Sequence, residues 1–200
     1  SETVIGAWLK ARGPASRGKV LIATKVAMLA GRQGLKKPNI LAACDDSLKR
    51  LGIDVIDLYQ VHWPDSETPI AETARALDDL RRQGKIRAVG VSNYDPAQMD
   101  AFRTVAKLDA LQPPYNLFER EIEADVLPYA ANAGLTVLSY GALCRGLLSG
   151  RMTAETVFAG DDLRKVDPKF RSPRFPQYLA AVEELGRLAR ERFGKSVLAL

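Results

Sequence analysis

Histidine and cysteine are nearly absent from this sequence. A single histidine, His62, excludes most zinc and iron sites, which take two or three such ligands. Two cysteines, Cys44 and Cys144, are too few for a disulfide framework and point to a reducing, cytoplasmic compartment. No apolar run approaches the roughly 20 residues of a membrane-spanning helix, and Ser1-Glu2-Thr3 does not read as a signal peptide. Aromatics are 7% and dispersed, and the formal net charge is only +5. The longest basic runs are Lys36-Lys37 and Arg81-Arg82. A nucleic-acid surface concentrates its charge among aromatics, so that class is set aside. A small phosphorylated ligand fits the sign of the charge as well.

What is present is an ordinary globular composition, 200 residues with 46% apolar and 26% charged, enough for one large domain. Short runs rich in Val, Ile and Leu recur at Val20–Val26, Val55–His62, Ile86–Asn93, Leu108–Gln112 and Leu135–Tyr140. Each is apolar at nearly every position, the pattern of parallel strands covered on both faces. Helical stretches lie between them. Pro38 opens one that Gly52 ends, Pro69 opens another that Gly84 ends, and Asp95-Pro96 supplies an N-cap and a first-turn proline. A fourth runs from Ile122 to Ala131. The order βαβαβαβαβ predicts a series of parallel crossover units.

After Gly150 the rhythm changes. Residues 151–175 read as a long loop excursion with a short helical turn near Ala154, of a length that is often functional. An amphipathic helix follows from Gln177 to Phe193, and Ser196 to Leu200 begins another apolar helical run. The chain also opens on a helix, Glu2 to Lys10, with no strand before it. No Gly-x-Gly-x-x-Gly follows any strand, which argues against a dinucleotide-type doubly wound sheet. The expectation is a single, incomplete (β/α)8 barrel domain over 1–200, an α/β fold represented by about five of its βα units.

In parallel α/β folds ligands bind at the C-terminal ends of the strands. Here those ends carry Lys25, then His62 and Trp63, then Ser92 and Asn93, then Gln112, then Tyr140 and Gly141. Five polar termini after five apolar runs point to a shared polar ligand, because buried polar groups are costly without partners. Each residue also has a plainer reading. Lys25 can pack its stem and keep its ammonium in water, Asn93 and Gln112 can tie down loops, and His62 and Tyr140 can be structural. A Lys at one strand end and a His at the next suit two chemistries. In one, Lys25 is the Schiff-base nucleophile of an aldolase; in the other, it assists a proton donor in carbonyl reduction.

Five segments carry a family resemblance: Ile22-Ala-Thr-Lys-Val26, Asp54-Val-Ile-Asp-Leu-Tyr-Gln-Val-His-Trp-Pro-Asp65, Gly84-Lys-Ile-Arg-Ala-Val-Gly-Val-Ser-Asn93, Gln112-Pro-Pro-Tyr-Asn116 and Tyr140-Gly-Ala-Leu-Cys-Arg-Gly-Leu-Leu-Ser-Gly150. In these residues and their order the chain resembles the aldo-keto reductases. The resemblance implies a (β/α)8 barrel binding NADPH, or NADH, at its C-terminal mouth, and hydride transfer to an aldehyde or ketone. It gives Lys25 and His62 the places of the catalytic lysine and histidine. Ser92, Asn93 and Gln112 match the groups that hold the nicotinamide carboxamide, and Tyr140 the aromatic that stacks on its ring. The loop containing Gly141, Leu143, Arg145 and Leu148 matches the one over the pyrophosphate, with Arg145 as a charge partner. Trp63 would wall the substrate pocket. The family's catalytic Asp and Tyr lie before a Ser-Glu pair that resembles Ser1-Glu2, and its last strand would follow Leu200. The 200 residues are therefore expected to lack the proton donor. A cofactor-binding regulatory subunit of the same fold is the other function class.

Overall fold

The computed structural model describes residues 1–26 and 34–200. They divide into two compact units: Ser1–Pro113 with Glu121–Tyr140, and Pro114–Arg120 with Gly141–Leu200. The first unit holds helix α1 (Glu2–Arg12), strand β1 (Ala23–Val26), α2 (Lys37–Leu51), β2 (Ile56–Val61), α3 (Ile70–Arg82), β3 (Ile86–Ser92), α4 (Pro96–Arg103), β4 (Ala110–Gln112), α5 (Val126–Asn132) and β5 (Thr136–Val137). The strands form one parallel sheet in the order β1-β2-β3-β4-β5, each beside its successor. This α/β arrangement is the one a (β/α)8 barrel builds from successive βα units.

Local chemistry explains most of the element ends. Gly52 caps α2 in the left-handed region and Gly84 ends the α3 turn at φ +73°, both conformations that a side chain resists. At α4 the Asp95 carboxylate accepts from the Gln98 amide while the Gln98 side chain accepts from the Asp95 amide, a complete capping box. The expected helix from Ile122 is broken. A short 3-10 turn spans Glu121–Glu123, and α5 starts afresh at Val126 behind the Asp125 cap. A helix begun at Ile122 would set Pro128 in its interior, where the missing N–H costs a hydrogen bond; restarting at Val126 places Pro128 in the first turn.

Side chains alternate across the sheet. Tyr59, Val61, Val89, Val91 and Leu111 are all fully buried and belong to the main core with Ile40, Leu51, Leu77, Leu80, Met99 and Phe102 of the helices. The opposite face carries a lateral row of paired residues, Lys25, Gln60, Gly90, Ala110 and Thr136. Two residues further along the strands the same face carries His62, Ser92 and Gln112. Coverage of both faces, the expectation from the apolar runs, holds for the central strands only: Ala23 in β1 and both residues of β5 are exposed.

The second unit is organised by α6 (Arg174–Phe193), which starts three residues earlier than its periodicity suggests, with Pro176 in its first turn. Its core joins Phe170, Phe175, Val182, Cys144, Leu147 and Leu148. Phe158 meets Phe170 edge-on at 5.3 Å. The 151–175 excursion is irregular but contains two 3-10 turns, Leu163–Lys165 and Pro168–Phe170, each capped by an aspartate. Only a 3-10 turn, Val197–Ala199, forms in the last segment.

Candidate functional site

The polar strand ends of the first unit are joined by hydrogen bonds. Asn93 lies one residue past β3 and adopts φ +62°, a left-handed conformation that asparagine tolerates better than most residues. The turn aims its side chain at three neighbours. Asn93 Nδ2 donates to the His62 carbonyl and to Ser92 Oγ, both at 3.0 Å, and Asn93 Oδ1 accepts from the Tyr140 hydroxyl at 2.9 Å. Ser92 Oγ donates to the Gln112 carbonyl at 2.7 Å, which also accepts from the Asn93 amide at 3.3 Å. Four strand ends, those of β2, β3, β4 and β5, are thereby tied together.

His62 is fixed through its backbone: its N–H donates to Val26 O at 3.1 Å, and its carbonyl is held by Asn93. Its ring lies nearly parallel to that of Trp63, with centroids 6.3 Å apart and 20° between planes. Burial and then the neighbouring Lys25 ammonium hold the imidazole below its ordinary pKa, so it is neutral at pH 7. The Lys25 ammonium thus acts on the imidazole electrostatically, after burial. Trp63 is half-exposed, and Tyr140 is 37% exposed.

Gln112 Oε1 accepts from Gln60 Nε2 at 3.1 Å. Among the described residues nothing accepts from Gln112 Nε2, so this amide nitrogen remains a donor. Gln60 is buried at 2% exposure and was not singled out by the sequence, where it sits inside an apolar run. Its one legible signal was a neutral polar residue two positions before His62, hence on the same face.

Tyrosine chemistry within the unit is restricted. Tyr59 lies on the helix-covered face, where burial drives its hydroxyl far above the usual range. Burial, with a contribution from Asp65, pushes Tyr94 up to about 12. Both shifts run opposite to what a proton donor working near neutrality needs.

In the second unit, Gly141 has φ +74° and its carbonyl accepts from Asn116 Nδ2 at 3.0 Å and from the Cys144 amide at 2.7 Å. Asn116, the last residue of the Gln112–Asn116 motif, is buried, and its Oδ1 also takes the Phe118 amide. Leu143 is exposed, whereas Leu148 is buried in the apolar core, leaving only its backbone for any ligand. Arg145 is left-handed at φ 54° and ion-paired, Nε to Asp167 Oδ2 at 3.3 Å. Asp167 also holds Lys169, which bonds Glu119 Oε1 at 2.8 Å.

Comparison with known proteins adds to this geometry. The model of the aldo/keto reductase family matches residues 1–200. Aldo-keto reductase YhdN of Bacillus subtilis is 53% identical over 204 residues, covering 100% of this chain and 61% of the relative. The NADH-specific methylglyoxal reductase of Escherichia coli is 34% identical over 183 residues, covering 83% of this chain and 55% of its own. A solved glycerol dehydrogenase from Gluconobacter oxydans superposes with a TM-score of 0.88 at 50% identity, covering 99% of this chain and 62% of that one. The chain thus spans somewhat more than half the length of the relatives it matches.

Proposed function

Because the chain belongs to the aldo/keto reductase family, we propose that it forms the cofactor and carbonyl site of an NAD(P)H-dependent reductase of aldehydes and ketones. One observation carries this reading: the bonded chain of strand ends from His62 through Asn93 and Ser92 to Gln112. The donor set fits a nicotinamide carboxamide. Among the described residues Gln112 Nε2 is an unclaimed donor, the Asn93 and Ser92 side chains are held in place, and Tyr140, partly exposed, supplies an aromatic ring to stack on.

The bound reduced nicotinamide supplies the hydride. The chain's own residues orient the reactants. Neutral His62 donates a hydrogen bond to the substrate carbonyl oxygen without adding charge, and Trp63 walls the pocket on the side of the stacked imidazole. Burial, and then the Lys25 ammonium, keep His62 neutral, and the same ammonium favours an anionic state in a neighbouring acid, which is how it assists the group protonating the carbonyl oxygen.

In the second unit, the loop with Gly141, Leu143, Arg145 and Leu148 takes the family role toward the pyrophosphate. A phosphate there competes with Asp167 for Arg145, since that guanidinium is already paired. NADPH is the preferred cofactor on this reading, supported by the net charge of +5; the Escherichia coli relative is named for NADH. The substrates are small carbonyl compounds and the protein works in the cytoplasm. Among the described residues no helix is long and apolar enough to cross a membrane.

The test is oxidation of NADPH and NADH by the gene product in the presence of methylglyoxal, glyceraldehyde and simple ketones. Turnover that Lys25→Met lowers by about a hundredfold or more supports the reading. Tight NADPH binding without turnover on any carbonyl would replace it with a regulatory subunit. A borohydride-trapped adduct on Lys25 would replace it with an aldolase.

A further inference from the structure

We infer that Gln60 is a positioning residue for Gln112, reaching over β3 to set which end of the Gln112 amide faces the ligand. Deepening the proposed reductase site, it rests on that reading for its consequence but not for its geometry. Gln60 stands on β2, and its lateral neighbour on β3 is Gly90, whose own neighbour on β4 is Ala110. Two small residues in a row leave a slot across the sheet face. A Cβ on Gly90 would lie 2.8 Å from Gln60 Cγ and 2.9 Å from Gln60 Oε1, closer than carbon atoms tolerate. Glycine is therefore required at 90 for the Gln60 side chain to lie where it does. Gly90 does not adopt a positive φ, so backbone freedom is not the reason.

Lying across Gly90, Gln60 reaches a strand it does not pair with and donates from Nε2 to Gln112 Oε1 at 3.1 Å. That bond claims the oxygen of Gln112 and leaves Nε2 as the outward group. A glutamine with no such partner turns its amide freely, offering donor and acceptor by turns. Gln60 Oε1 is buried and has no hydrogen-bond partner among the described residues. Burying a glutamine with half its amide unsatisfied costs stability, and a leucine in the slot would avoid that cost. The polar residue is explained by what it holds.

Two variants test the inference. Gln60→Leu fills the slot but cannot donate. Gln60→Glu keeps the shape, and its carboxylate accepts instead of donating, so it attracts Gln112 Nε2 and turns Oε1 outward. The first readout is the side-chain amide resonances of Gln112 in cofactor-free protein labelled with 15N. In both variants these should shift, with faster exchange in Gln60→Leu and slower in Gln60→Glu. The second is the dissociation constant for NADPH, followed by quenching of tryptophan fluorescence, expected to rise about tenfold in each variant. Folding is checked by circular dichroism, and Gln60→Glu serves where Gln60→Leu does not fold. Unchanged Gln112 resonances in a folded variant overturn the inference, whatever the NADPH result. Shifted resonances in a protein that binds no nicotinamide cofactor would sustain the placement of Gln112 and overturn the reductase reading alone.

Discussion

Asn93 holds the backbone carbonyl of His62 with its side-chain amide at 3.0 Å, across 31 residues of sequence. It does so from a left-handed backbone at φ +62°. The catalytic candidate is thus positioned by a left-handed residue just past the end of the next strand, a common arrangement where geometry must be held tightly.

Two substitutions at 93 separate the strain from the bonds. Asn93→Ala loses the links to His62, Ser92 and Tyr140 and puts a β-carbon in the left-handed region. Asn93→Gly loses the same links without that penalty. Urea unfolding should rank wild type above Asn93→Gly and Asn93→Gly above Asn93→Ala, the last two about 1 kcal/mol apart. Equal midpoints for the two variants would show that the positive φ carries no cost here.

His62 can be followed without ambiguity, being the only histidine. Its ring-proton resonance should titrate below 6.5 because of burial first and Lys25 second. Lys25→Met should raise the midpoint without restoring it fully, as burial remains. The stability linked to this group is complete above the unfolded pKa near 6.5 and is lost as the pH falls through the folded value. An unmoved midpoint in Lys25→Met would separate Lys25 from the imidazole.

Gly90→Ala should destabilise the first unit by about 1–3 kcal/mol, because the new methyl collides with the Gln60 stem inside a central strand. Adding Gln60→Ala to it should recover part of the loss. A double-mutant cycle by denaturant unfolding reads the coupling directly; additive effects would place the clash elsewhere.

At the opposite ends of the strands, Asp57 is buried and salt-bridged to Arg17 at 2.7 Å and Arg87 at 2.6 Å, and accepts from the Ile22 amide at 2.8 Å. Burial raises its pKa, but the Ile22 amide and the two arginines outweigh that and leave it below the ordinary value. Its stabilisation is present above the unfolded pKa near 3.9 and is lost as the pH falls through the folded one. Asp57→Asn should therefore cost about 2–3 kcal/mol at pH 7, a gap that narrows below pH 4 in thermal melts at fixed ionic strength. A gap independent of pH would mean that the charge of Asp57 is not what matters.

Much of the fold was legible because its signals are local. Gly52, Gly84 and the Asp95 capping box fix helix ends through backbone conformation and neighbouring groups alone. The apolar runs located all five strands but overstated their lengths: Leu135–Tyr140 yields a strand only at Thr136–Val137. Apolar character marks what can be buried, whereas a ladder requires a paired neighbour. The polar strand ends were equally visible, since a polar residue closing an apolar run stands out in one dimension.

The sequence by itself determined the parallel α/β order and the polar residues at the strand ends, Lys25, His62, Ser92, Asn93 and Gln112, because periodicity and capping act over a few residues. Only the tertiary structure decided how those groups are used. Gln60 meets Gln112 across 52 residues, Asn93 turns left-handed to reach His62, and Arg145 is engaged by Asp167. Such choices depend on register and on which neighbour is small enough to leave a path. Chain separation hides both, and only folding brings them into play.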